Sequence, residues 1–183
     1  MPSIVVVAGS PAATSRTVAL GEYLAERLRT QAHEVRVVAV RDLPADALIT
    51  ADPSDPAVAE VLAAIATADG VVVASPVYKA AYSGVLKVLL DLLPQWAFAG
   101  KVVLPVLTGG GPAHALAVDY ALRPVLSTLG AHHVVQGAFV LDEDIVPTFD
   151  GVELDKDAGR SLLEVVDWFS QTLHASAALV AAS

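Results

Sequence analysis

Apolar positions fall along this chain in two rhythms. Residues 4–8, 71–73 and 101–107 are nearly continuous apolar runs without polar alternation, the pattern of strands covered by helices on both faces. Residues 134–140 read as a fifth strand, and residues 34–40 alternate in part, as a strand at or near a sheet edge does. Between these runs the repeat turns helical. Leu20, Leu24 and Leu28 make one stripe, after Ser15 as N-cap, and Leu162, Val166, Phe169 and Leu173 make another in a closing helix over residues 158–176. Pro56 starts a helix reaching to about residue 68, and Pro94 stops another over 83–93. A fourth, over 113–129, is kinked or broken by Pro124. Residues 41–55 and the Asp- and Pro-bearing segment up to 157 read as loops, and 177–183 as a tail that frays.

Strands and helices thus alternate five times, which predicts a parallel sheet with right-handed crossovers. Two doubly wound strand orders compete, the flavodoxin-like 2-1-3-4-5 and the Rossmann order. Five units ending in a helix favour the former, so the expected fold is a single α/β, flavodoxin-like domain over residues 1–176. Its ligand site would lie where the first and third strands end.

The third strand runs into the most informative stretch, residues 70–84. Pro76 has no N–H for a ladder and holds Ser75 extended, so the chain is expected to leave the sheet there. The loop then offers two rings (Tyr78, Tyr82), a cation (Lys79) and a hydroxyl (Ser83), a set suited to a flat, polar-edged, anionic ligand.

Composition narrows the chemistry. At 183 residues the chain buries roughly 70% of its unfolded surface as one domain. Hydrophobic residues make up 55%, yet no apolar run reaches the roughly 18 residues of a membrane span. The start Met-Pro-Ser has no basic leader, so the expected location is the cytoplasm, without membrane attachment. With no cysteine, disulfides and thiol catalysis are excluded, and redox chemistry must come from a bound cofactor. A net charge of -9 argues against a nucleic-acid partner but allows one small phosphate locally.

The first strand exits through Ser10, Thr14, Ser15, Arg16 and Thr17, hydroxyls and one cation at a helix start, which together make an anion site. An ordinary turn with a serine cap uses the same residue types. Neither a Gly-Lys-Ser/Thr loop nor a G-x-G-x-x-G fingerprint follows this strand, which excludes a triphosphate P-loop and the dinucleotide motif. Thr108, Gly109, Gly110 and Gly111 leave the fourth strand with little bulk, open to a planar ligand or simply forming a turn. The five histidines show no metal spacing, so no metal is expected. Taken together, donors after strand one, an aromatic and a cation after strand three and glycines after strand four match the phosphate, ring and ring edge of FMN.

Gly-Ser-Pro with Ser15-Arg16-Thr17, the run Ser75-Pro-Val-Tyr-Lys-Ala-Ala-Tyr-Ser-Gly84, Leu-Leu-Asp-Leu-Leu-Pro94, Gly-Lys-Val-Val-Leu-Pro105 and Val-Asp-Tyr-Ala-Leu-Arg-Pro-Val-Leu126 resemble the NAD(P)H-dependent FMN reductases of alkanesulfonate-utilisation systems. The resemblance covers most of the first 140 residues and nothing after Asp142. It implies a homodimer or homotetramer that uses NADPH or NADH to reduce FMN for a separate monooxygenase, with the flavin acting more as substrate than as prosthetic group. Carried over by position, Ser10, Ser15, Arg16 and Thr17 hold the phosphate, Pro76, Val77, Tyr78, Lys79 and Ser83 line the flavin, and Thr108 to Gly111 meet the ring edge. The resemblance also implies a one-residue π-bulge at Tyr120, at a subunit interface near the flavin, where this side chain keeps FMN exchangeable. Trp96 and Phe98 are bulkier than the family pattern, so the site opening or a subunit contact is expected to differ. The competing readings are a quinone, azo or metal reductase with tightly bound FMN, and a flavodoxin-type electron carrier.

Overall fold

The computed structural model describes residues 1–149 and 151–181, with side chains described through residue 176. Its main sheet holds β1 (Ser3–Ala8), β2 (Glu34–Ala39), β3 (Gly70–Tyr78), β5 (Val102–Gly109), β6 (His133–Val134) and β7 (Ala138–Leu141), all parallel, with β4 (Ala81–Tyr82) turned back on β3. The order β2-β1-β3-β5-β6, with β7 continuing β6 along β5, is the flavodoxin-like order with its last strand in two pieces.

Alternate strand residues feed two cores. Val5, Val7, Val71, Val73, Val103 and Leu107 pack with α3 (Pro56–Thr67), α4 (Gly84–Leu90) and α5 (Arg123–Thr128). Ile4, Val6, Val72, Leu104 and Val106 pack with α1 (Arg16–Thr30) and α6 (Lys156–Ala181). The two leucine-type stripes read from the sequence are the buried faces of α1 and α6.

Five expectations need correction. Pro76 does not end its strand, which stays paired with β5 as far as Thr108. Gly9 N–H donates to Ala74 O at 2.8 Å, so Ala74 and, two residues on, Pro76 turn towards β1, which has already ended. The missing N–H therefore leaves no gap in a ladder. The chain then forms a two-residue hairpin, with Val77 opposite Tyr82 and Tyr78 opposite Ala81. The fifth strand is split at residues 135–137. Val103 O accepts from Val135 N–H at 3.0 Å, so Val103 and Pro105 face this neighbour, and Pro105 has no N–H to donate. The segment up to 157 contains an antiparallel hairpin, β8 (Ile145–Thr148) and β9 (Gly151–Leu154), and residues 41–55 contain the short helix α2 (Ala45–Ile49). The closing helix extends to Ala181, so of the fraying tail only residues 182–183 lie wholly outside the described residues.

The helix before Pro124 widens into a π-turn over Val118–Leu122, in which Arg123 N–H reaches Val118 O. A regular turn would press the proline ring onto the carbonyl four residues back, and the extra residue relieves that contact.

Candidate active site

The carboxyl ends of β1, β3 and β5 meet in one recess. A Cβ at Gly9 would lie 2.4 Å from Leu86 Cβ, so only glycine lets α4 pack directly against this turn. Ser83, buried beneath it, donates its hydroxyl to Gly9 O and caps α4 by accepting from Leu86 N–H at 3.1 Å, while Ser75 Oγ accepts from Ser83 N–H at 2.8 Å. These two serines therefore brace the floor of the site.

Ser15 caps α1 by accepting from Val18 N–H at 3.2 Å, and α1 leaves the N–H groups of Arg16 and Thr17 without intrahelical partners. Arg16 Nε donates to Ile145 O at 3.2 Å, and its two terminal nitrogens have no partner among the described residues. The Thr17 and Thr108 hydroxyls lie 2.7 Å apart and join α1 to β5 under the recess. Ser10, Thr14, Ser15, Arg16, Thr17, Pro76, Val77, Tyr78, Thr108, Gly109 and Asp142 line a space of about 140 Å³.

Of the residues singled out from the sequence, Ser10, Ser15, Arg16, Thr17, Pro76, Val77, Tyr78, Thr108 and Gly109 are brought together here. Ser83 lies below. Gly110 and Gly111 follow on the exit of β5, and Gly109 is held small by His114, whose Nδ1 would sit 2.9 Å from a Cβ. Lys79 stands exposed at the hairpin tip with φ 52°, next to Ala80 with φ 64°. Two non-glycine residues in the left-handed region make this turn strained. Tyr120, 80% exposed, lies outside the recess and lines a neighbouring hollow of about 290 Å³ with Ala80, His114 and Leu116. Phe98 belongs to the core and Trp96 packs over Gly130, so neither touches the site opening. Sequence reasoning missed Asp142. Its signal was its position, one residue past the end of the last strand in the sheet.

Residues 2–145 match the family described as NADPH-dependent FMN reductase. The chain belongs to that family. It is 42% identical over 171 residues to an FMN reductase (NADPH) of Escherichia coli (strain K12), covering 93% of this chain and 90% of that protein. It is also 32% identical over 177 residues to an NADPH azoreductase of Bacillus sp. (strain OY1-2), covering 89% and 95% of the two chains. Among solved structures, the apo form of an NADH:FMN oxidoreductase (EMOB) superposes with a TM-score of 0.86 at 40% identity, covering 94% of this chain and 90% of that one. Membership of the FMN reductase family makes the chain an oxidoreductase that uses FMN with NADPH or NADH.

Proposed function

We propose that this FMN reductase holds the flavin phosphate at the start of α1 and releases reduced FMN to a separate monooxygenase. The observation that carries the placement is the set of unpartnered donors there: the Arg16 and Thr17 N–H groups and the free end of the Arg16 guanidinium. The hydroxyls of Ser10, Thr14 and Ser15 line the same recess and complete a donor set that fits a phosphate. At about 140 Å³ the recess is well below the roughly 300–1,000 Å³ of pockets that enclose a whole ligand. It suits the phosphate end and leaves the flavin ring at the open mouth beside Pro76, Val77, Tyr78 and the glycine loop. That shallow seat supports flavin as an exchangeable substrate.

When both nucleotides are bound they supply the chemistry, a hydride passing from reduced nicotinamide to FMN. The residues of this chain bind and orient. Arg16 and the first turn of α1 fix one end of the flavin, Tyr78 bounds its ring, and Lys79 at the strained hairpin tip governs entry of the nicotinamide. Asp142, which lines the same recess, is available to accept hydrogen bonds from hydroxyls of the ligand. Tyr120, exposed on the π-turn, meets a second subunit of a homodimer or homotetramer close to the flavin. Its exposure and its shared hollow with the hairpin tip support that role. The Tyr120→Ala variant then purifies with flavin retained and loses transfer to free FMN; a colourless variant with normal turnover and assembly would refute this.

The azoreductase relative favours a second reading, reduction of azo or quinone acceptors through tightly held FMN. Purifying the protein without added flavin and following NAD(P)H oxidation separates the two. Turnover that depends on added FMN supports the reductase reading, whereas a yellow protein that turns over azo acceptors without added FMN supports the other.

A further inference from the structure

The last strand of the sheet is left open along part of its outer edge, and that part has unusual surroundings. Val134 and Val135, at β6, have their carbonyls capped by the Arg123 guanidinium at 3.2 and 3.4 Å. Among the described residues no side chain caps a β7 carbonyl in this way. In a parallel ladder the residue directly opposite an inward-facing partner directs its own N–H and C=O away. Val103 faces this neighbour, and so does Leu107, two pairs further on; Phe139, opposite Leu107, therefore points both backbone groups outward. Among the described residues no loop, cap or side-chain hydrogen bond reaches either group, and β7 pairs with no strand other than β5. Unpaired strand edges of this kind are templates for another strand.

Phe139 lines a groove of about 930 Å³ between β7 and the first half of α6. Its apolar wall is Val165 and Trp168, and Trp168 is 62% exposed. Asp144, Asp155, Asp157 and Glu164 also line the groove, and no lysine or arginine does. Asp157 is paired with Arg160 at 3.2 Å. Asp155 caps α6, and the Ala158 and Asp157 N–H groups it accepts hold its carboxyl below the ordinary range, so it stays charged. Asp144 and Glu164 have no ion pair among the described residues.

We infer that this groove docks a cationic, extended segment of a partner protein, which adds a strand along β7, places an apolar side chain against Trp168 and sets lysines or arginines against Asp144 and Glu164. Backbone pairing with alternate side-chain pockets is the mode of recognition by strand addition. Charge decides against a second copy of this chain as occupant, because pairing two β7 edges would bring two acid-rimmed grooves together in a molecule of net charge -9. The groove and the recess are neighbours along the chain, since Asp142, immediately after β7, lines the recess while Asp144 lines the groove. A docked segment would lie alongside the strand whose end borders the recess.

The test uses the full chain carrying Trp96→Phe, so that Trp168 is the sole tryptophan reporter, and a capped ten-residue peptide of alternating lysine and valine. The expected result is saturable binding that shifts Trp168 emission and slows amide hydrogen exchange at Phe139. The Asp144→Asn/Glu164→Gln double variant is expected to bind at least tenfold more weakly, and so is a peptide N-methylated at alternate backbone nitrogens. Equal binding by the double variant or the N-methylated peptide, no binding at millimolar peptide, or exchange at Phe139 unchanged by saturating peptide would each overturn the proposal. So would slow exchange at Phe139 in the free protein that is lost on dilution, because a second copy would then already cover the edge.

Discussion

The two ends of the sheet in this molecule treat their polar groups in opposite ways. At the amino end, Ser3 N–H and Oγ both donate to Asp69 Oδ2 at 2.7 and 3.0 Å, and Lys101 Nζ donates to the Ala66 and Ala68 carbonyls at 2.8 and 2.7 Å. His33, buried among α1, β2 and α6, bonds Ser170 at 2.7 Å and stacks on His174 with ring centroids 4.6 Å apart. At the carboxyl end, donors at the start of α1 are left open, two residues of a tight hairpin sit in the left-handed region, and Tyr78 and Tyr120 stand exposed. The amino end turns most of its polar groups into the fold, and the carboxyl end leaves a set of donors open. Ligand sites at the carboxyl end of open α/β sheets follow this division.

Breaking the open end should cost binding far more than stability. Arg16→Ala is expected to lower FMN affinity by about 10- to 150-fold, the loss of one charge-assisted contact of about 1.5–3 kcal/mol, with a melting temperature lower by only about 2–4 °C from the lost bond to Ile145 O. Fluorescence titration and thermal melting on the same preparation check both halves.

Breaking the closed end should do the reverse, and pH is the gentlest way. Burial first, and then the neighbouring His174, pull the His33 pKa below its ordinary value. The folded protein therefore refuses a proton that the unfolded chain takes up, so stability is lost as pH falls below about 6.5 towards the lowered folded value, by at most about 1.4 kcal/mol per pH unit. Denaturant midpoints between pH 7.5 and 5.5 should fall in the wild type and fall less in His174→Gln, at unchanged FMN affinity.

The smallest expected effect sharpens the comparison within the open end itself. Ala80→Gly removes left-handed strain of about 1–2 kcal/mol, offset in part by the greater freedom of glycine in the unfolded chain, for a net gain of about 1 kcal/mol. Denaturant melts measure the gain. Steady-state kinetics should show a raised nicotinamide KM, because the turn that presents Lys79 is loosened.

Much of this division was legible in residue order, because burial on both faces leaves an unmistakable apolar run and helix stripes repeat at a fixed period. Leu20, Leu24 and Leu28, or Val71 to Val73, have a single physical reading. Pro76 misled because its effect depends on which neighbour its missing N–H faces, and that is set by where β1 ends 68 positions earlier in the chain, a distance along sequence from Ala8 that no local pattern spans. The split of the last strand has the same origin in Pro105. The β8–β9 hairpin escaped notice because Val146 and Thr148 are exposed and Pro147 interrupts the alternation, so little burial marks it. For the site, residue types named the donors, but only the fold shows that Ser83 braces the floor while Thr17 and Thr108 join across it.

The central claim is that the phosphate of FMN sits on the first turn of α1. Titrating the ¹⁵N-labelled protein with FMN and with riboflavin, which differ by that phosphate alone, tests it most directly. The account predicts that FMN binds at least tenfold more tightly and that FMN, and not riboflavin, shifts the backbone amide signals of Arg16 and Thr17. Riboflavin binding as tightly as FMN, with those two amides unmoved by either, would contradict it.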